Sequence, residues 1–245
     1  MAIQESNSNV DIWNPKTDTG KKVLHKEITD INSVLDSGQP ILEAEIVDVL
    51  LPNAETELLL IGQSKGKFGG GQRRVFRQTQ KKTKEGNKPK FATMAIVGNK
   101  DGVVGIGYGK SKETVPAREK AYRNAKLNVF KIRRGCGSWQ CGCGNPHTVP
   151  FRVQGKEGSC EIELIPAPKG TGLKVEKECA KVLEFAGITD CWSKTRGSTK
   201  TKINLIKALE QALRSTSLTK VKHDLGEKLS IKEGAVKSEK PTEEN

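Results

Sequence analysis

The segment between residues 90 and 132 constrains the fold of this 245-residue chain more than any other part of it. Residues 90–98 (KFATMAIVG) form an apolar run of strand length, and residues 103–108 (VVGIGY) form a second one. The four residues between these runs, NKDG, have the composition of a tight hairpin turn. From residue 112 to residue 132 the apolar residues recur at helical spacing. With a basic strand expected over 72–82, the pattern predicts three antiparallel strands followed by a helix.

A second folded segment is predicted after residue 148, and two short helices are predicted before the first segment. The elements expected around the central segment are helices over 28–36 and 40–51 after an extended arm over 1–24, strands over 149–153 and 159–165 on either side of a turn at 155–158, a helix over 175–186, a strand over 190–193 and a helix over 201–213. The fold class is therefore α+β. The predicted divisions are an acidic helical extension (1–68), a β-β-β-α domain (69–132), a Cys/His linker (133–147), a small α/β C-terminal domain (148–219) and a flexible polar tail (220–245).

Basic and acidic residues are unevenly distributed along the chain, whose net charge is +13 and whose isoelectric point is about 9.5. Residues 64–90 hold 10 basic residues and 1 acidic residue, and residues 110–134 hold 9 and 2. Residues 1–62 hold only 4 basic residues against 11 acidic ones. A basic middle with few aromatic residues is typical of a protein that binds RNA through its shape and its phosphates, with little reading of bases.

The predicted RNA-binding residues are basic side chains that lie beside glycine-rich or irregular segments, above all around a loop expected at 83–89. They are Arg73, Arg74, Arg77, Lys81, Lys82, Lys84, Lys88, Lys90, Lys110, Lys112, Arg118, Arg123, Arg133, Arg134, Lys194 and Arg196. The acidic extension has two open interpretations, a solvated appendage or a clip on a neighbouring protein.

A glycine-rich stretch between a predicted strand and a predicted helix, residues 105–111 (GIGYGKS), approaches the nucleotide-binding P-loop pattern. Only three residues separate Gly105 from the Gly109–Lys110 pair, whereas the P-loop requires four. The preceding strand also belongs to a predicted hairpin rather than to a βαβ unit. We therefore expect Lys110 and Lys112 to meet an RNA phosphate at the helix start. The alternative for the glycines is that they only permit close backbone packing.

Three of the six cysteines cluster with a histidine as Cys136-x4-Cys141-x-Cys143-x3-His147. We expect an intracellular chain, because there is neither a signal-peptide pattern nor an apolar run long enough to span a membrane, and its cysteines should not form disulfides. Four nitrogen and sulfur ligands within twelve residues predict a structural zinc ion, with reduced thiols as the alternative. A catalytic zinc is disfavoured because the protein would fill all four coordination positions. The remaining three, Cys160, Cys179 and Cys191, are expected to be core thiols.

The chain resembles the ribosomal protein S5 family of the small subunit, called S2 in eukaryotes, in its archaeal form. The resemblance covers residues 70–213 approximately and is carried by KFATMAIVGNKDGVVGIGYGKSKE, AREKAYRNAKLNVFKIRRGCGSWQCGCGNPHTVPF, ELIPAPKGTGL and LEFAGITDCWSKTRGSTKTKINLIKAL. It implies that the β-β-β-α segment has a double-stranded-RNA-binding-like fold. The chain departs from the family at Lys88 and Lys90, where arginines are usual. Lysine keeps the charge there but lacks the bidentate geometry of arginine.

The resemblance also implies a function and partners. Such a protein is a non-enzymatic constituent of the cytoplasmic small subunit that binds 16S rRNA, supports translational fidelity and lies near the mRNA entry region. Its expected neighbours are ribosomal proteins S4 and S8, with S2 and S3 nearby. Bacterial family members lack the Cys/His cluster, so a zinc ion would be a structural addition of this lineage. The rival functions are a free double-stranded-RNA-binding regulator and a zinc-dependent enzyme.

Overall fold

The structure is a computed structural model that describes residues 13–64 and 73–235. Its helices are α1 (Asp18–Leu24), α2 (Ile31–Asp36), α3 (Glu45–Leu50), α4 (Thr114–Leu127), α5 (Lys177–Phe185), α6 (Lys202–Leu218) and α7 (His223–Lys228). Its strands are β1 (Glu55–Leu59), β2 (Arg77–Thr83), β3 (Gly86–Gly98), β4 (Val103–Ser111), β5 (Val129–Lys131), β6 (Arg133–Arg134), β7 (Val153–Glu157), β8 (Cys160–Pro166), β9 (Leu173–Lys174), β10 (Cys191–Arg196) and β11 (Lys232–Glu233). None of the described helices combines the length and apolarity needed to cross a bilayer.

The first sheet has the antiparallel order β1-β3-β4-β5, and β2 pairs with the outer half of β3. Helix α4 packs on one face through Ala117, Ala121 and Ala125, which are fully buried. Opposite them, β4 has glycine at three alternate positions, Gly105, Gly107 and Gly109. A Cβ atom on Gly107 would lie only 2.1 Å from the backbone nitrogen of Ala125. Small residues on both elements therefore allow the helix and sheet backbones to approach closely.

The second sheet has the order β7-β8-β10-β9, with β9 parallel to β10 and the other pairs antiparallel. Helix α6 covers β7 and β8. Gly155, which was predicted to belong to a turn, lies inside β7, where a Cβ atom would come within 2.0 Å of the Ala208 carbonyl oxygen. Gly155 therefore does not form a turn. Its missing side chain allows α6 to pack closely against β7.

The two sheets share a continuous apolar core. Ile96 and Ile106 of the first sheet belong to the same buried cluster as Ile162 of the second and Leu183 of α5. Polar contacts also join the two sheets. The buried Glu178 carboxylate of α5 accepts a hydrogen bond of 2.8 Å from the Leu60 backbone N–H, directly after β1. The hairpin turn over 99–102 donates backbone hydrogen bonds to the last carbonyls of α5 and its C-cap. The first half of the molecule (the first sheet with α4) and the second half (the second sheet with α5 and α6) are thus packed together across the face of the first sheet opposite α4.

The ends of the described chain meet beside β5 and β6. Helices α1 to α3 form a second buried cluster with Val103 and Val129. Strand β11 pairs with β6, and the Asn32 side-chain amide exchanges two hydrogen bonds with the backbone of Ala235, at 2.8 and 3.2 Å. Glu233 joins this contact by ion pairs with Lys131 and Arg133, both at 2.8 Å. The C-terminal segment (residues 223–235) therefore attaches the N-terminal extension to the first sheet.

The α+β class is confirmed, whereas several element predictions are wrong in detail. The loop expected at 83–89 is a two-residue turn, Lys84–Glu85, because the strand pairing continues from Thr83 to Gly86. The helix expected to reach residue 132 ends at Leu127, and β5 follows. Two segments expected to lack regular structure contain helices, namely the arm over 1–24 at α1 and the tail over 220–245 at α7. The parts of these two predictions on residues 1–12 and 236–245, and the start of the strand predicted at 72–82, lie outside the described residues.

Candidate nucleic-acid interface and metal centre

The outer part of the β2–β3 hairpin is a projection covered with exposed polar side chains. All residues of β2 except Thr83 are exposed, and so are residues 86–90 of β3. Gly86 adopts a φ of 114° directly after the turn, a backbone conformation that favours glycine. A ribbon with no apolar face gains nothing from burial against its own chain. Its surface is therefore available to a partner.

The strand register places five basic side chains on one face of this projection. Lys81 lies opposite Lys88, and Arg77, Ala92 and Lys110 lie side by side on three neighbouring strands. Paired residues of antiparallel strands point to the same side, as do residues two apart along one strand. The basic hairpin face, as we call this surface, consists of Arg77, Lys81, Lys88, Lys90 and Lys110, all of which are exposed.

The basic hairpin face carries more positive charge than its own chain neutralises. Among the described residues only Lys88 has an ion-pair partner there, namely Glu85 at 2.9 Å, and both side chains are largely exposed. An exposed pair of this kind contributes little to stability. Like charges directly opposite one another, as in Lys81 and Lys88, are unfavourable in a sheet. The arrangement favours a bound polyanion.

The glycines of the P-loop-like stretch pack against α4. Gly105, Gly107 and Gly109 would each bring a Cβ atom within 2.4 Å of the α4 backbone. The packing interpretation of these glycines is therefore confirmed. Lys110 and Lys112 are exposed before the first turn of α4, so their predicted contact with an RNA phosphate stays a prediction.

Arg134, which was predicted to bind RNA, has a buried side chain that is committed to contacts inside the chain. Its guanidinium pairs with the Asp101 carboxylate and lies 3.4 Å from the Gly187 carbonyl oxygen. Arg133 is half-buried and donates hydrogen bonds of 2.8 Å to Glu233 and 2.5 Å to the Thr219 carbonyl. Both arginines lie in β6, beyond the end of α4. Their positive charge holds the C-terminal segment and the second half of the molecule in place.

The other predicted RNA contacts fall into two groups. The exposed residues are Arg74, Lys82, Lys84, Arg123, Lys194 and Arg196, whereas Arg73 and Arg118 are half-buried. Arg73 also donates a hydrogen bond of 3.3 Å to the Gly62 carbonyl. In the second sheet, Lys194 and Arg196 lie opposite Glu163 and Glu161. Facing glutamates reduce the net charge there, so the second sheet offers a weaker electrostatic surface than the basic hairpin face.

The Cys/His segment is a loop closed at its base. Gly135 and Thr148 exchange two backbone hydrogen bonds, of 2.9 and 3.0 Å, and so join the ends of the loop. The Cys136 N–H donates a hydrogen bond of 2.8 Å to the Leu229 carbonyl of the C-terminal segment. The loop is therefore anchored on both the second half of the molecule and the C-terminal segment.

The four predicted ligands of this loop converge on one point. The thiol sulfurs of Cys136, Cys141 and Cys143 and a ring nitrogen of His147 all lie within 4.8 Å of one another. The Cys136–Cys143 Sγ–Sγ distance is 3.6 Å, and the distance from the Cys141 Sγ to the His147 Nε2 is 3.7 Å. Zinc–sulfur bonds of about 2.3 Å in a tetrahedron place neighbouring ligand atoms about 3.8 Å apart. The donor set and spacing fit a tetrahedral metal ion, so the cluster could hold a metal.

His147 is held from its other side by the Asp190 carboxylate, which the Cys/His motif did not indicate. The His147 Nδ1 lies 2.9 Å from the Asp190 Oδ2, and both side chains are buried. The His147 carbonyl oxygen also accepts hydrogen bonds from the backbone N–H groups of Thr189 and Asp190. A carboxylate on the distal ring nitrogen orients a ligating histidine and increases its basicity. Only the distance of 43 residues between the two positions concealed this pair.

The electrostatic environment shifts the pKa values of two thiols in the cluster, Cys136 and Cys141, in opposite directions. Burial raises the pKa of the Cys136 thiol to about 11, with the neighbouring sulfurs contributing. Hydrogen bonds from the Lys169 and Cys143 backbones lower the pKa of the Cys141 thiol to about 6. Burial raises the pKa of the Asp190 carboxyl, but hydrogen bonds from Gly172, Thr189 and His147 outweigh it and lower that pKa overall. The thiolate form, which binds metals, is thus already favoured at Cys141.

The three scattered cysteines behave as predicted core thiols. Cys160, Cys179 and Cys191 are completely buried and unpaired. Burial raises the pKa of Cys191 to about 12 and also raises the pKa of Cys179. Inert buried thiols of this kind serve packing rather than chemistry.

Comparison with known proteins supplies the family. The model of "Ribosomal protein S5, N-terminal domain" matches residues 75–133, and that of "Ribosomal protein S5, C-terminal domain" matches residues 155–224. The chain belongs to the ribosomal protein S5 family. The Small ribosomal subunit protein uS5 of Nanoarchaeum equitans is 47% identical over 87% of this chain and 91% of the relative. The protein of the same name from Methanocaldococcus jannaschii is 44% identical over 93% and 98%.

Membership of the ribosomal protein S5 family confirms two expectations. The similar relatives are archaeal, which confirms the archaeal form. Their names are those of small-subunit ribosomal proteins, a non-enzymatic family, which confirms that the chain is not an enzyme. The N-terminal family match contains the whole basic hairpin face, and the Cys/His loop lies between the two matches.

Proposed function

We propose that the chain is a structural constituent of the archaeal small ribosomal subunit that binds 16S rRNA through the basic hairpin face. The observation that carries the proposal is the five exposed basic side chains on one face of a projecting ribbon, in a member of the ribosomal protein S5 family. Lysine and arginine side chains spaced along a ribbon neutralise phosphates without reading bases. Arg74, Lys82, Lys84, Lys112 and Arg123, which are also exposed, are proposed as further phosphate contacts outside this face, whereas Arg133 and Arg134 are not.

The proposal extends to position and partners. A rigid protein anchored on rRNA near the mRNA entry region limits the movement of the surrounding RNA, and in this way it supports decoding accuracy. The second half of the molecule, in which residues 194–196 at the end of β10 and most of the loop after them are exposed, docks on ribosomal proteins S4 and S8, with S2 and S3 nearby. The two separate family matches support a division of the chain at residues 133–147.

The test of this function is sedimentation after a high-salt wash. An affinity-tagged copy of the chain, expressed in an archaeal host, is followed through a sucrose gradient of washed ribosomes. We expect one copy in each small subunit. Recovery of the chain at the top of the gradient, together with tight binding to generic duplex RNA, would instead support a free double-stranded-RNA-binding regulator.

We also propose that Cys136, Cys141, Cys143 and His147 hold a structural zinc ion. The support is the convergence of the four donor atoms and the Asp190 carboxylate behind His147. Because the protein supplies four ligands, no position is left for a reacting water, and the ion would serve to fasten the loop. The loop joins the two halves of the chain and contacts the C-terminal segment, so the ion would stabilise this junction.

Elemental analysis of the purified chain and of its Cys141→Ser variant tests the zinc site. We expect one zinc per chain, and a loss of most of it in the variant. A matched control is Cys160→Ser, because the Cys160 Sγ contacts the Ser198 carbonyl at 2.9 Å and a hydroxyl can do the same. Equal zinc content in all three proteins would contradict the proposal.

A further inference from the structure

The Cys/His loop displays a tryptophan that nothing in the described chain covers. Trp139 is 90% exposed, the most exposed large apolar side chain among the described residues. Its indole N–H has no partner among them, whereas that of Trp13 donates a hydrogen bond of 2.8 Å to Glu43. Tryptophan offers a large apolar surface and gains most when that surface is buried. An indole left in water on a fixed loop is typical of a binding anchor.

The backbone around Trp139 is locked before any partner binds. The Cys141 N–H donates a hydrogen bond of 3.2 Å to the Ser138 carbonyl, which closes a turn with Trp139 at its second position. The Gln140 N–H also lies 3.4 Å from the Ser138 Oγ. On the other side, Gly137 packs so tightly that a Cβ atom would lie 2.0 Å from the Pro150 carbonyl oxygen. The turn fixes the backbone that carries the exposed indole, so little backbone entropy is left to lose on binding.

The surroundings of Trp139 favour a nucleobase over a protein pocket. The chain neighbours Ser138 and Gln140 are polar, and the loop over 135–147 holds no other large apolar side chain, whereas the centre of a protein interface is typically apolar. A single flat aromatic face is sufficient for stacking on an unpaired base. The loop over 135–147 contains no acidic residue. Beside it, Lys169 is exposed and forms no ion pair with a described residue, and its backbone N–H reaches the Cys141 thiol.

We infer that Trp139 stacks on an unpaired nucleobase of the folded RNA, while Lys169 neutralises a nearby phosphate. This contact is a second RNA-binding site, on the Cys/His loop and distinct from the basic hairpin face. It rests on the proposed function, because the RNA in question is the rRNA of the small subunit. Stacking of one base on an aromatic side chain changes affinity by about 5- to 150-fold. The contact therefore adds to affinity while remaining tolerant of sequence.

The first experiment uses small subunits purified with the Trp139→Ala, Trp139→Phe or Leu218→Ala variant in place of the natural chain. The rRNA is probed by acylation of its 2′-hydroxyls, which is faster at mobile nucleotides. We expect Trp139→Ala to raise the reactivity of one or two unpaired nucleotides several-fold, and Trp139→Phe to restore most of the protection. Leu218 is the matched control, since it is 81% exposed but lies at the end of α6.

The second experiment replaces Trp139 by p-benzoylphenylalanine and identifies the photo-crosslinked partner in the assembled subunit. A crosslink to rRNA at the nucleotides that Trp139→Ala exposes supports the inference. A crosslink to a ribosomal protein overturns it in favour of a protein pocket. No crosslink, with unchanged acylation in Trp139→Ala, overturns it in favour of a free side chain. Failure of the proposed function would be distinguished earlier, because the chain would then be missing from the purified subunits.

Discussion

The salt dependence of RNA binding is the property that the basic hairpin face should control. The perturbation is the double substitution Lys81→Ala and Lys88→Ala. It removes two positive charges that face each other across the strand pair and leaves the core unchanged, since both side chains are exposed. Each phosphate contact contributes about 0.9 to the slope of log affinity against log salt concentration for a duplex. If each lysine neutralises one phosphate, the slope becomes shallower by about 1.8. Between 50 and 200 mM salt the natural chain should therefore lose about 12-fold more affinity than the variant.

The assay is a filter-binding titration of the purified chain with a helical fragment of small-subunit rRNA at four salt concentrations. The charge-matched control is Lys174→Ala with Lys177→Ala, two exposed lysines of the second half that belong to no predicted RNA contact. We expect its slope to equal that of the natural chain. Thermal unfolding should show that the Lys81 and Lys88 variant is as stable as the natural chain, because the removed charges repel one another. Equal slopes for all three proteins would refute the idea that this face binds phosphates.

Three further predictions concern the scaffold. Gly107→Ala should destabilise the chain by about 3 kcal/mol, because its Cβ atom would press on the α4 backbone; Gly226→Ala, with nothing within 4 Å, should cause no loss in the same denaturant titration. Asp190→Asn should weaken zinc binding by roughly 10- to 100-fold in a chelator competition, and unchanged affinity would contradict a role for Asp190 in orienting His147. Partial burial raises the pKa of Glu233, but Lys131 and Arg133 outweigh it and lower that pKa below 4.5. Because this pKa is lowered, the ion pairs stabilise the attachment of β11 fully above about pH 4.5, and the stabilisation is lost as the pH falls through the lowered pKa. Peptic cleavage within residues 223–235 should report this loss. Equal cleavage of the natural chain and of Glu233→Gln at all pH values above 4.5 would argue against the ion pairs.

The sequence predicted the central hairpin because its signals are local. The apolar runs of β3 and β4 and the NKDG turn between them specify strand, turn and strand from neighbouring residues alone. The Cys/His ligands were equally accessible, since all four lie within twelve residues of the chain. Local composition was sufficient in both cases, because the residues that contact one another are also close together in the sequence.

The misses have a common physical cause, which is that the deciding contact lies far away in the chain. Gly155 has the composition of a turn, yet α6 approaches it from residues 208–212. Arg134 looked like one more exposed basic residue, yet Asp101 and Gly187 surround it. Asp190 could be assigned to His147 only after folding had brought two segments together. Such tertiary partners override the local pattern, and a single sequence does not reveal them.

Ultraviolet crosslinking of washed small subunits, with the crosslinked peptides identified by mass spectrometry, tests most directly that the basic hairpin face binds rRNA. We predict peptide–rRNA crosslinks within residues 77–90, and their loss when Lys81 and Lys88 are both replaced by alanine. Crosslinks to rRNA confined to the second half of the chain, with residues 77–90 crosslinked only to protein or to nothing, would contradict the account.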